Sequence, residues 1–190
     1  MNTEPIQDFI LMKQRNLGVA AAISIAWNEA REKLVDGFLD RLELRMKKKL
    51  KGWESERSGE YFVIPYPYFV FSKPAWKQEY YVHLQFEQGG QKMTFGLLRN
   101  FELKHIRKRP RCAELLTAIG KPYPSAIAGK WWEAKMTMRS PAADWQQPDV
   151  LWRMHKDRSF LENVAEQLLE VARISEPIVD RLVQRKIKSR

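Results

Sequence analysis

The sequence predicts an α+β fold: an antiparallel β-meander of about four to five strands packed against long N-terminal and C-terminal helices, within one domain over residues 1–190. Three observations predict it. Apolar residues recur at three- and four-residue steps from Leu34 to Leu50, alternate strictly from Tyr80 to Leu97, and return to helical spacing from Leu161 to Val183. A period near 3.6 buries one stripe of a helix, whereas a period of two buries one face of a strand. At 190 residues the chain is long enough for one well-buried core and short for two.

The first element is the amphipathic helix over 28–51, carried by Leu34, Val35, Phe38, Leu39, Leu42, Met46 and Leu50. Glu29, Glu32 and Asp36 open it and Lys47, Lys48 and Lys49 close it, matching the helix dipole, and Gly52 supplies a stop. Residues 1–27 form an N-terminal helical extension, in which 17–27 is almost wholly apolar. Ser24 and Ala26 sit where a signal peptide would be cleaved, but eleven apolar residues fall short of the ~20 that span a bilayer, so the run reads as buried helix. Asn28 either caps a separate helix or lies inside a continuous one.

Beyond Gly52, the runs 60–64 and 68–72 read as short edge strands divided by Pro65 and Pro67. The firmest local pattern is the hairpin: 79–87 alternates, Gly89 and Gly90 supply positive φ for the turn, and Met93, Phe95 and Leu97 resume the alternation. Pro110 opens a short helix through Ile119, residues 131–139 form a strand, and 141–148 form a loop holding Trp145. Ser159 with Glu162 makes a capping box for the last helix, which Pro177 kinks or restarts before a basic tail over 184–190.

Charge is the strongest functional signal. Residues 45–51, 99–111 and 181–190 together hold sixteen basic residues and one acid, a net +15 against a whole-chain +10, which leaves the remainder at −5. Clustered cations are the footprint of a polyanion binder, because neutralised phosphates release condensed counterions. The phosphate contacts are assigned to Lys47, Lys48, Lys49 and Lys51, to Lys104, Arg107, Lys108, Arg109 and Arg111, and to the tail residues Arg185, Lys186 and Lys188. Helix ends favour Lys and Arg on their own account, so no single cluster decides the matter. A lone cysteine, Cys112, forms no internal disulfide and points to a reducing, cytoplasmic setting.

Candidate chemistry is sparse. Two Glu-x-Lys matches, Glu102 with Lys104 and Glu133 with Lys135, suggest the strand motif of a metal-dependent nuclease, and Glu133 with Lys135 lies on a predicted strand. Yet 23 acids and 17 lysines in 190 residues produce about two acid-x-Lys matches by chance. Period two would point Glu133 and Lys135 together from the solvent face. His83, His105 and His155 lack metal-ligand spacing, so neither metal nor cofactor is predicted, and His83 reads as a solvated residue on the outer face of the hairpin. Phe62, Tyr66, Tyr68, Phe69, Phe71, Trp76, Tyr80 and Tyr81 crowd twenty residues. Some could stack unpaired bases, although strands favour aromatics intrinsically and most should serve the core.

The order YYVHLQFE, KMTFGLL, WWEAKM, a loop tryptophan and a long last helix ending in EPIVDRL resembles the tryptophan-rich C-terminal module that accompanies some bacterial PD-(D/E)XK nuclease-family proteins, over residues 31–182. In those proteins the nuclease core is a separate segment, so the resemblance implies a bacterial or phage setting and a recognition or assembly role near nucleic acid, not catalysis. The expectation is therefore a noncatalytic binding module acting on nucleic acid, or a subunit of a nucleic-acid-processing complex of a defence or mobile-element kind. The alternatives are a PD-(D/E)XK-like nuclease, and a subunit that binds a protein partner or a second copy through exposed Trp76 or Trp145. No membrane partner is predicted.

Overall fold

The computed structural model describes residues 3–184, and at its centre is a five-stranded antiparallel sheet in the order β1-β2-β3-β4-β5. The strands are β1 (Glu54–Arg57), β2 (Tyr68–Ser72), β3 (Tyr80–Glu87), β4 (Lys92–Arg99) and β5 (Trp132–Thr137). Six α-helices accompany them: α1 (Glu4–Leu11), α2 (Gln14–Lys49), α3 (Lys104–Lys108), α4 (Ala113–Gly120), α5 (Pro148–Lys156) and α6 (Arg158–Gln184). The α+β class holds, with helices at both ends of the chain and the sheet between them.

The hairpin forms where the alternation places it. β3 pairs with β4 from Tyr80↔Arg99 to Glu87↔Lys92, and the turn carries positive φ at Gln88, Gly89 and Gly90. Val82, Leu84 and Phe86 face Phe69 and Phe71 of β2, Phe95 and Leu97 of β4, and Ala134 and Met136 of β5 across the inner face, and all are buried. α6 lies against β3 and β4 on that face, while α2 packs on α5 and α6. Phe38 of α2 meets Trp145 edge-on at 5.3 Å, and Trp145 in turn meets Phe86 at 5.1 Å, joining helix, loop and sheet in one core. Such edge-to-face pairs add about 0.5–1.5 kcal/mol beyond area burial.

Several elements differ from the sequence reading. Residues 60–64 are a turn, not a strand: the Tyr61 and Phe62 amides donate to the Glu32 carboxylate at 3.0 and 3.1 Å, and Glu60 and Tyr66 take positive φ, so no ladder forms there. The edge strand on that side is β1, whose residues carry no β-branched or aromatic signal, and β2 (68–72), expected at an edge, is interior, paired with β1 on one side and β3 on the other. The stretch 104–108 is itself helical, and Pro110 lies in the extended link before α4. α6 is capped by Asp157, whose carboxylate accepts from the Ser159 amide and hydroxyl at 2.7 Å, rather than by Ser159. The predicted partner of that box, Glu162, pairs instead with Arg45 of α2. α6 also runs unbroken through Pro177.

α2 is a single helix through Asn28, and the apolar run 17–27 lies on it. That run is exposed, not buried: Leu34 is the first apolar residue of α2 packed against the core and Val35 the first that is buried. No helix among the described residues is long and apolar enough to cross a membrane.

Candidate nucleic-acid interface

Two surfaces stand apart from the packed core: a basic end and the open outer face of the sheet. The basic end is organised around Trp76, which a single 3-10 turn (Pro74–Trp76) sets between β2 and β3. The ring of Trp76 meets Trp53, just beyond the C-terminus of α2, at 4.8 Å, and its Nε1 donates to Asp180 of α6 at 2.7 Å. Three residues further on, Glu79 holds His105 at 3.0 Å and Arg109 at 3.4 Å. Arg181 of α6 pairs with Glu114 at the start of α4. The C-terminus of α2, the basic segment 104–111 and the last described turn of α6 therefore gather at one end of the molecule.

Most of the assigned cations there are outward and uncommitted. Lys48, Lys49, Lys51, Lys104, Arg107, Lys108 and Arg111 are exposed and make no ion pair among the described residues. Two assignments are modified. Lys47 pairs with Glu43 one helical turn back, and the Glu43 carboxylate also accepts from the Ser55 hydroxyl. Arg109 turns inward, donating to the Tyr80 hydroxyl at 2.9 Å and to Glu79, so it fastens α3 to the sheet. Arg185, Lys186 and Lys188 lie outside the described residues. The sequence reading missed Lys77, exposed beside Trp76 with φ of 49°, because a lone lysine in a turn carries no pattern. Four acids at this end are engaged, Asp180 and Glu176 with Lys73, Glu79 with α3 and Glu114 with Arg181, while Glu54 and Glu102 are exposed and make no ion pair among the described residues.

Among the described residues, the helices that pack on the sheet do so on the inner face, and the outer face is open. Three adjoining cavities of about 210, 370 and 830 Å³ make a trough across it, bounded by Tyr66 and Tyr68 on one side and residues 127–132 on the other. Tyr81, Leu98 and Trp131 line it with the carboxylates of Glu56 and Glu102, and one end opens at Lys73 and Lys77, next to the basic end. The carboxylates disfavour phosphate within the trough itself. Tyr68 donates to Glu56 at 2.7 Å, and that bond to a carboxylate pushes its hydroxyl up to about 12.

His83 borders this trough but is not the solvated residue expected. Trp132 meets its ring edge-on at 5.1 Å and Tyr68 covers it at 5.7 Å, leaving it 7% exposed. Neither ring nitrogen has a partner, and burial drives its pKa down to about 3. It stays neutral at physiological pH.

Glu133 and Lys135 do not share a face. The β4–β5 register slips between Leu97 and Leu98, so Glu133 is the extra residue of a β-bulge and turns to the interior. It is 1% exposed, accepts the Cys112 amide at 3.1 Å, and lies 3.7 Å from Arg99, which itself donates to the Arg109 carbonyl. Desolvation raises the pKa of Glu133, opposed by the Cys112 amide and Arg99. Lys135 stays on the outer face, paired with Glu87 and 6.0 Å above the Trp132 ring. The two residues have separate structural roles. Among the described residues, no group of three or more His, Cys, Asp or Glu is placed to hold a metal ion.

The tryptophans also redistribute. Trp76 and Trp145 are fully buried and hydrogen-bonded through their indole nitrogens, so neither is an exposed anchor; Trp27, Trp131 and Trp152 are the exposed ones. No family model, curated protein or solved structure matches the chain.

Proposed function

We propose that the chain is a noncatalytic binding module that holds the phosphate backbone of a nucleic acid at its basic end, alone or as a subunit of a nucleic-acid-processing complex. One observation carries this reading: eight exposed cations without ion-pair partners among the described residues, Lys77 and the seven above, gather at the end where Trp76 joins the C-terminus of α2 to α6 and Glu79 holds α3. Cations spent on structure would point inward, as Arg109 does. Binding of fluorescent mixed-sequence DNA and RNA at low salt tests the reading. The triple variant Lys104→Ala, Arg107→Ala, Lys108→Ala weakens binding, and Lys33→Ala, on the same helix as Lys49 but far from that end, does not. Absence of binding to every oligonucleotide overturns the proposal.

The trough favours a second reading, a subunit that grips a basic peptide. Aromatic rings beside Glu56 and Glu102 suit a guanidinium, which stacks on a ring while pairing with a carboxylate. Arginine-rich peptides that bind the wild type but not Trp131→Ala support it. Equal binding by both removes it.

A further inference from the structure

The N-terminal arm is the part of the fold that its own chain leaves unpacked. α1 meets the start of α2, tied by the Asn16 side-chain amide donating to the Phe9 carbonyl at 2.7 Å, yet no residue of α1 and none of α2 before Val35 is buried. Seventeen residues of α2, 14–30, precede the contacts that Arg31 and Glu32 make with the Tyr61–Phe62 turn, a projection of about 25 Å. Of fifteen exposed large apolar side chains among the described residues, nine lie in this arm, including Phe9, Leu11, Leu17, Ile23, Ile25 and Trp27. Scattered exposed apolar residues are ordinary, but nine of them concentrated on one arm mark an interface.

We infer that this arm pairs with the same arm of a second copy of the chain, antiparallel, about a two-fold axis between Ala22 and Ile23. Self-complementarity favours a second copy. Gly18, Ala22 and Ala26 fall one helical turn apart with open space over Gly18, while Val19, Ile23 and Trp27 form the adjoining bulky stripe. An antiparallel pair centred there sets Trp27 of each copy over Gly18 of the other and Ile23 against Ala22, the isologous contact a two-fold axis requires. Small residues let the helix axes approach to about 8 Å.

Area and charge agree. The nine large apolar side chains of the arm present on the order of 1,000 Å² per copy, of which Val19, Ile23 and Trp27 on the seam supply about a third, so the pairing must take in the side chains of α1 to reach the ~800 Å² per partner of a stable interface. The four charges of residues 3–28, Glu4, Asp8, Lys13 and Arg15, cancel, so the arms meet without the repulsion of the +10 chain. The same neutrality gives an anionic membrane surface no electrostatic hold, unlike the Lys- and Arg-rich polar face of interfacial helices. The basic end lies at the other terminus of α2, so the dimer carries its two basic ends about 80 Å apart.

Sedimentation velocity on the full chain tests this. The wild type at about 10 µM is expected at twice 22.5 kDa, and Ile23→Glu, at a position 64% exposed, at 22.5 kDa with dimerisation weakened at least ~100-fold. Far-UV circular dichroism and the unfolding midpoint of that variant should match the wild type, because the core begins at Val35. Leu44→Glu, exposed on the body of α2, keeps the dimer. With Cys112→Ser as background, Ala22→Cys cross-links two copies under oxidation and Ala26→Cys does not. A monomeric wild type, a dimeric Ile23→Glu, equal cross-linking at both cysteines, or a monomer that binds phosphatidylcholine–phosphatidylserine vesicles through the arm each overturns the inference.

Discussion

Replacing His83 by Phe tests the covered site on the outer face of the hairpin quantitatively. The imidazole is enclosed by Tyr68 and Trp132, has no hydrogen-bond partner and holds a pKa near 3 against an ordinary 6.5. Between those two values the unfolded chain takes up a proton that the folded chain refuses. Stability from this group is therefore complete above about pH 6.5 and falls as pH drops, by about 1.4 kcal/mol per unit. From pH 6.5 to 4.5 the loss is about 3 kcal/mol. Phe keeps both ring contacts and removes the two unpartnered nitrogens, so at pH 7 the variant should equal or exceed the wild type by about 1–2 kcal/mol. Urea unfolding of both proteins at pH 7 and 4.5 gives the comparison; the carboxyl groups with shifted pKa, Glu43 and Asp157 lowered and Glu133 raised, are common to both proteins and drop out of the difference. The stability gap should widen by about 3 kcal/mol at the lower pH. Parallel pH profiles would refute the reasoning, since they require a His83 that titrates normally in the folded protein.

Gly96 has φ of 152° and sits between His83 and Lys135 in the register, where an added Cβ would strike the Ala134 carbonyl; Gly96→Ala should cost on the order of 3 kcal/mol or more in the same unfolding assay. Glu133→Ala strips the partner from buried Arg99 and should cost about 3–5 kcal/mol, whereas Glu133→Gln keeps an acceptor for the Cys112 amide and should cost less. Calorimetric midpoints rank the two, and divalent-metal-dependent cleavage lost in a folded Glu133→Gln protein would restore the nuclease reading. Trp76→Phe removes the indole donor to Asp180 and should lower stability by about 1–3 kcal/mol by denaturant titration, while loosening the end where the cations gather.

The parts of the fold written in local pattern were legible. The β3–β4 hairpin, β2 and the apolar stripes of α2 and α6 each follow a period that burial enforces. Elements decided by long-range partners were not. Residues 60–64 look like a strand until Glu32, nearly thirty residues earlier, takes their amides, and ESER becomes β1 only because β2 offers it an edge. Glu133 and Lys135 obey period two in sequence, and a bulge set by packing against Arg99 and Cys112 separates them. The sign and clustering of charge were readable residue by residue, yet Arg109 could be told from Arg107 only by what lies beneath it. The exposure of 17–27 was also hidden, since an apolar run is read as buried whichever chain buries it.

Ionic strength gives the most direct test of the basic end. The affinity of the full chain for a mixed-sequence oligonucleotide, measured by anisotropy across salt concentrations, should fall linearly on logarithmic axes. The slope should lose about one unit for each phosphate-contacting cation removed among Lys51, Lys77, Lys104, Arg107, Lys108 and Arg111. Replacing inward-facing Arg109 should act through stability instead. A slope unchanged by removal of the exposed cations, or an affinity independent of salt, would contradict the account.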